Sequence, residues 1–307
     1  MIVIITLLAL LILQVVGCKL VWDSLGWKTP RGFDWLLVLL CYGTIHLLTL
    51  GDAAFLRMVL LCSVLLGGMK WMVYAEWRRS GGKVLSWSRW LCFGFLWFGM
   101  DPNSWTSKRR DIRWKHDLLW GLGCLLVGVV AVWMMAVYQV DALVPLFIAM
   151  SVGFHYGALR LLTTFWKFAG IPVKPLFRNP LAMRGFNDFW SRRWNLAYSH
   201  MMARVVKRPL VPVLGEKWAL FAVFAVSGLL HELAITVPVG AGYGLPTLFF
   251  LIHGMAACLE RKNSGAMALL CGVLLIAGLP LLFPGEFVRE VIWPSRDVFL
   301  KFPNDTM

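Results

Sequence analysis

The chain has 307 residues, 59% of them hydrophobic and 15% charged, with a formal net charge of +14. Its mean hydropathy is positive and its apolar residues stand in long blocks, which excludes a soluble globule and leaves a multi-pass membrane protein. Those blocks leave no room for a separate basic domain, so the positive charge is not a nucleic-acid footprint and no nucleic-acid partner is expected. Cys18, Cys41, Cys62, Cys92, Cys124, Cys258 and Cys271 stand singly, with no CxxC pair. They are expected to be buried apolar thiols, with neither a disulfide framework nor a metal site.

Met1 to Trp22 opens with an apolar run and no basic stretch before it, so it is expected to be a first membrane helix rather than a secretory signal. Phe33 to Leu50 and Ala54 to Tyr74 follow as second and third spans around a tight Gly51-Asp52 turn. Basic residues from Arg78 to Lys115 then surround a short apolar piece, Trp90 to Met100. At 1.5 Å per residue that piece is too short for a hydrocarbon layer of about 30 Å, which makes it interfacial or re-entrant. Asp117 to Tyr138 and Leu143 to Trp166 are the fourth and fifth spans, and a basic loop runs from Lys167 to Lys217. Trp218 to Pro238, Tyr243 to Leu259 and Ser264 to Phe283 are the sixth to eighth, followed by a polar tail from Gly285 placed on the surface. The fold expected is an all-α multi-pass membrane protein of about eight transmembrane helices plus interfacial amphipathic helices. It is a single integral-membrane domain over 1–307, with N-terminal helices at 1–166, a motif loop at 167–217, further helices at 218–283 and a tail at 284–307.

With the N-terminus outside, 25 of the 30 Lys and Arg residues fall on cytoplasmic segments, and the three outer turns at Gly51, Gln139 and Val239 carry none. The positive-inside rule therefore puts the loop 167–217 on the cytoplasmic face, in a bacterial cytoplasmic membrane or an endoplasmic reticulum.

Two features carry chemistry. Within Asn179 to Ser199, read as one helix, Phe186, Trp190 and Trp194 fall at i, i+4 and i+8 and form an aromatic stripe. Asp188 stands four residues from both Arg184 and Arg192, so the polar side pairs internally, and the segment suits a membrane interface. Further on, His231 and Glu232 interrupt an apolar run, and an ionisable group at that depth is a candidate functional residue. The pair is not a zinc motif, because Ile235 stands where a second histidine is needed.

Phe189-Trp190-Ser191-Arg192-Arg193-Trp194-Asn195, followed by His231-Glu232-Leu233, resembles the membrane-bound O-acyltransferase superfamily and, within it, the wax-synthase-like branch. Asn179-Pro180 and Leu251-Ile252-His253-Gly254 are similar too, so the resemblance covers about Leu176 to Glu260. The resemblance implies an intramembrane chamber in which an acyl group passes from acyl-CoA to an acceptor hydroxyl. Acyl-CoA is then a co-substrate, with no other cofactor and no metal. It further implies His231 as the catalytic histidine and Asn195 as its partner. A neutral imidazole can take the hydroxyl proton as the oxygen attacks the thioester, and a carboxamide can orient the ring or donate to the oxyanion. Arg192 and Arg193 are the expected contacts of the CoA phosphates, with Trp190 and Trp194 beside them. The first acceptor is a long-chain alcohol, giving a wax ester, but Ser191 replaces the glycine usual in plant wax synthases and leaves a sterol or glyceride open.

Alternatives stand beside these readings. His46 and His155 are expected to join helices, with His253 intermediate, and Arg192 and Arg193 could bind anionic lipid headgroups instead. Glu232 could pair with Arg160. A lipid or small-molecule transporter would use the same intramembrane polar residues, and a non-catalytic scaffold would use none. The oligomeric state is not legible in the sequence.

Overall fold

The computed structural model describes residues 1–26, 28–109, 114–260 and 265–301, the last three as backbone. Arg110, Arg113, Arg261 and Lys262 of the charge count lie outside the described residues. No strand occurs among the described residues, as expected where a backbone surrounded by lipid must satisfy its own hydrogen bonds.

Among the described residues six helices are long and apolar enough to cross a membrane: α1 (Ile2–Ser24), α2 (Arg31–Leu48), α3 (Ala54–Arg79), α5 (Trp114–Val137), α6 (Leu143–Phe168) and α8 (Leu196–Val239). Between them lie α4 (Trp87–Phe95) and α7 (Phe186–Arg192). The seventh and eighth expected spans form shorter helices, α9 (Leu245–Leu259, 15 residues) and α10 (Gly265–Ala277, 13 residues). At about 1.5 Å per residue neither reaches the roughly 30 Å of a hydrocarbon core, so six described helices rather than eight have spanning length. The basic loop also ends earlier than expected, since helix resumes at Leu196 and runs on through a kink at Gly215 (φ 74°).

The helices fall into two compact units. The first comprises Met1–Ser107 and Ala197–Gly254. Its centre is α3, the most buried of the six long helices. Three carboxylates tie the ends of α1 and α2 to α3. Asp23 takes Lys19 at 2.6 Å, Arg78 at 2.8 Å and the Tyr74 hydroxyl at 2.6 Å. Asp34 takes Arg79 and the Trp71 indole, and Glu76 takes Arg31 and Arg79. The short piece α4 buries one face in this unit, Trp90, Phe93 and Gly94, with Trp90 donating to the Val15 carbonyl at 2.7 Å. The fully buried Lys70 donates to the Gly99 carbonyl at 2.6 Å, with its ammonium 3.8 Å from the centre of the Phe93 ring.

The second unit comprises Lys108–Leu196 and Met255–Met307. Here α5 and α6 meet backbone to backbone. A Cβ on Gly128 would lie 2.2 Å from the Gly153 nitrogen, and one on Gly157 would lie 2.7 Å from the Leu125 Cα. Gly153 and Gly157 are thus a small-xxx-small pair on α6, the arrangement by which membrane helices approach closely. At one end of this pair the buried Asp117 accepts from Arg160 and from Lys167, each at 2.7 Å. Arg160 is therefore held by Asp117. The tail also departs from expectation. Residues 285–301 are helical (α11), Val291 and Ile292 are buried, and Arg296 is 3% exposed, donating to Asp141 at 2.8 Å and Asp297 at 2.6 Å. A polar composition suggested a surface strand of chain, but pairing with a carboxylate 155 residues away draws it into the unit.

Gly128→Leu is expected to lower the melting midpoint of the detergent-purified protein, by an overpacking cost of about 1–3 kcal/mol. Gly123→Leu on the same helix, where nothing lies within 4 Å, is the control and should melt as the unaltered chain does. Equal melting of the two variants would show that the close approach is not needed.

Candidate functional site

The motif segment is not one helix. α7 has only seven residues. It begins after Gly185, whose φ is 151° and where a Cβ would sit 1.7 Å from Glu260 Oε1. Glu260 fixes this start, accepting from the Asn187 backbone at 2.9 Å and its amide at 2.7 Å. α7 closes with Arg193 N–H and Trp194 N–H both donating to the Phe189 carbonyl, at 3.1 and 3.0 Å. Asn195 then takes a left-handed conformation at φ 42°, which asparagine tolerates better than most residues. The continuous stripe is thereby broken: Phe186 and Trp190 stay on α7, while Trp194 is turned off it and stacks on Phe189 at 5.7 Å.

The break is imposed by a partner segment. Arg178 N–H donates to the Arg193 carbonyl and Leu196 N–H to the Leu176 carbonyl, both at 2.8 Å, so residues 176–178 bracket the Asn195 turn. Arg193 is drawn into the same construction, donating to Asp188 at 2.5 Å and to the Asn179 carbonyl at 3.1 Å. Asp188 thus pairs with Arg193 and accepts the Arg184 backbone N–H at 3.1 Å, in place of the expected pairing with the Arg184 and Arg192 side chains. Arg192 is exposed and Trp190 half-buried. Trp190, Arg192, Arg193, Trp194 and Asn195 all belong to the second unit and His231 to the first.

His231 closes the α-helical part of α8, and the π-helical turn Glu232–Thr236 follows it at once. Its Nδ1 lies 2.7 Å from the Ser227 carbonyl. A carbonyl only accepts, so the proton of a neutral ring sits on Nδ1 and the Nε2 lone pair remains available as a base. The ring packs against Phe250 at 4.3 Å and meets Tyr198 edge-on at 5.6 Å. Glu232 does not touch the imidazole chemistry. Its Oε1 accepts from Gly244 N–H at 3.1 Å, Thr247 N–H at 2.9 Å and the Thr247 hydroxyl at 2.8 Å, capping the N-terminus of α9. It also lines an open groove of about 320 Å³ with Leu229, Tyr243, Thr247, Leu248 and Leu251. In this way Glu232 fixes the helix whose next turn supplies Phe250 to His231, a role that depends on contacts twelve to fifteen residues away and has no local signal.

The other histidines are placed as follows. His46 contacts Arg57 at 3.3 Å, joining α2 to α3, while Arg57 also donates to the Pro238 carbonyl at 2.6 Å. His253 is 1% exposed and stacks on Phe249 at 4.3 Å. His155 stacks on Phe177 at 4.2 Å. Among the described residues no group of three His, Cys, Asp or Glu side chains could hold a metal ion.

Residues 173–252 match the family model described as membrane bound O-acyl transferase family, a stretch that includes both Asn195 and His231. The likeness to that family is carried by this segment. It is similar to a probable long-chain-alcohol O-fatty-acyltransferase 2 of Arabidopsis thaliana, 36% identical over 30% of this chain and 29% of that protein. It is also similar to the long-chain-alcohol O-fatty-acyltransferase of Simmondsia chinensis, 29% identical over 39% of this chain and 40% of that protein. An acyl-CoA–sterol O-acyltransferase 1 of Arabidopsis thaliana is 37% identical over 29% of this chain and 28% of that protein. The chain thus spans less than half the length of each of these relatives.

Asn195→Gly is expected to lose less stability than Asn195→Ala, by about 1 kcal/mol, because glycine adopts the left-handed turn freely. Thermal unfolding of both variants checks this, and equal losses would show that the side chain rather than the backbone holds the turn.

Proposed function

We propose that the protein transfers a fatty acyl group from acyl-CoA to the hydroxyl of a lipophilic acceptor, with a long-chain alcohol first and a sterol second. The observation that carries the reading is the Nδ1 contact of His231 with the Ser227 carbonyl, which leaves Nε2 as a base in an apolar part of α8. The names of the relatives, which specify long-chain alcohols and a sterol as acceptors, support the substrate class.

The scheme needs no covalent acyl-enzyme. Nε2 of His231 takes the acceptor's hydroxyl proton as its oxygen bonds to the thioester carbonyl carbon. The tetrahedral intermediate expels the CoA thiolate, which recovers the proton from the imidazolium, and the ester remains. Asn195 assists by donating its amide to the oxyanion, a contribution of several kcal/mol at the level of about 3 for a preorganised donor. An apolar chamber suits two greasy substrates and keeps out the water that would hydrolyse the donor. The loop carrying the motif faces the cytoplasm, where the CoA moiety is available. Of the two motif arginines, Arg192 is exposed and meets the CoA phosphates, while Arg193, tied to Asp188 and Asn179, holds the turn.

Membranes containing the full chain, given labelled acyl-CoA and a mixture of long-chain alcohols and sterols, should form a new ester. His231→Ala should lower its rate by about a hundredfold or more. Movement of either substrate across the membrane with no ester formed would replace this reading with that of a transporter.

Arg192→Ala should raise the KM for acyl-CoA and flatten its salt dependence, while Arg193→Ala should instead lower the melting midpoint. A KM that Arg192→Ala leaves unchanged at low salt would remove Arg192 from CoA binding.

A further inference from the structure

His155 and Tyr156 stand on the π-helical turn Val152–Ala158 of α6, and the acyl-transfer scheme uses neither. π-helical turns interrupt helices mostly where a side chain must be presented in a special direction. What these two side chains meet is the bracket around Asn195. The His155 ring stacks on Phe177 at 4.2 Å with 22° between planes, and meets Trp194 edge-on at 5.3 Å. The Tyr156 hydroxyl donates to the Arg178 carbonyl at 3.0 Å, and its ring lies 6.1 Å from Phe177. Phe177 is the residue between Leu176 and Arg178, the two that make the backbone bonds on either side of Asn195. Phe177 also meets Trp194 at 5.1 Å, nearly perpendicular, so the ring before Asn195 and the ring of the bracket are locked together.

The turn that carries His155 and Tyr156 cannot shift, because Gly153 and Gly157 on it lie in backbone contact with α5. A mechanical line therefore runs from α5 through the π turn, into Phe177, and by two hydrogen bonds into the only left-handed asparagine among the described residues. Nδ1 of His155 is buried without a hydrogen-bond partner among the described residues, so the ring serves here as a flat face rather than as a donor. We propose that His155 and Tyr156 are positioning residues: through Phe177 they hold the backbone bracket that fixes where the Asn195 amide is presented. The catalytic consequence rests on the acyl-transfer reading of Asn195. The bracket does not.

Two readouts separate these. Full-length protein in lipid nanodiscs is followed by hydrogen exchange of the 174–199 segment and by ester formation from palmitoyl-CoA and hexadecanol. The variants are His155→Ala, His155→Phe and Tyr156→Phe, with His155→Ala also combined with Asn195→Ala. His155→Ala should speed exchange of the Arg178 and Leu196 amides about tenfold, since their opening becomes local and cheaper. It should lower kcat by about ten- to a hundredfold while the KM for palmitoyl-CoA stays within about twofold, as misplacement of a catalytic group does. His155→Phe, which keeps the flat ring, should restore both exchange and kcat to within about threefold of the unaltered chain. Tyr156→Phe, the mildest change, should raise exchange at Arg178 and leave the fold intact. In the Asn195→Ala background His155→Ala should lower kcat no further, because both changes remove the same group from its place.

Unchanged exchange in His155→Ala and Tyr156→Phe overturns the proposal. So does a His155→Phe as impaired as His155→Ala, or a His155→Ala loss that multiplies the Asn195→Ala loss. If exchange behaves as stated and the unaltered chain makes no ester, the positioning proposal stands and the acyl-transfer reading fails.

Discussion

A charged group surrounded by hydrocarbon has no water to turn to, so the charged side chains that this chain buries are held by partners within the chain. That constraint explains most of what is irregular in the two units. Asp117 gathers two cations, Asp23 two cations and a phenol, and the fully buried Lys70 settles on a backbone carbonyl and an aromatic face. Each such cluster joins helices far apart in sequence, and each is costly to leave half made, since removing one partner strands the other in a low dielectric. The same rule sets the state of His231: with the Ser227 carbonyl as the one acceptor its Nδ1 reaches, the proton has one place to sit.

How much of this was legible depends on the range over which the forces act. Apolar blocks showed the helices, because the hydrophobic requirement of a span is written in consecutive residues. The shortness of the piece from Trp90 was legible for the same reason, and in the first unit it buries Trp90, Phe93 and Trp97 while Leu91, Phe95 and Phe98 stay exposed. What periodicity could not show was where a helix stops for a tertiary reason. Phe186, Trp190 and Trp194 fit a helical stripe, yet two hydrogen bonds from residues 176–178 outcompete the next turn of helix and put Asn195 at positive φ. Spacing likewise favoured Arg184 and Arg192 as partners of Asp188; once the helix ends, Arg193 five residues on reaches it instead. The tail misled because composition cannot reveal that Asp141 awaits Arg296.

The candidate site divides in the same way. The residue types of the motif were readable and led to the family that the segment 173–252 matches. The supports were not readable, because each depends on a contact between distant segments. Gly128 signals nothing until Gly153 is opposite it, and Phe177 is an ordinary apolar residue until its neighbours are seen to bracket Asn195. Charge alone suited Glu232 to Arg160. The Glu232 carboxylate instead takes the first amides of α9, where the helix dipole favours a negative charge.

Both intramembrane histidines of interest sit at π-helical turns, His155 within one and His231 immediately before another. A π turn adds one residue to a helical turn, so side chains beyond it are rotated by roughly 100° from the positions an uninterrupted α-helix would give them. Such a turn weakens the hydrogen-bond ladder of a helix that has no water to compensate, so it persists only where surrounding contacts favour it. For the first those contacts are the glycine seam with α5 and the stack on Phe177; for the second they are the Thr236 hydroxyl on Glu232, at 2.6 Å, and the Tyr42 hydroxyl on the Leu233 carbonyl, at 2.7 Å. The packing that stabilises each irregular turn is therefore the packing that aims its histidine, and a substitution that relaxed either turn to regular helix would improve the local ladder while turning the ring away.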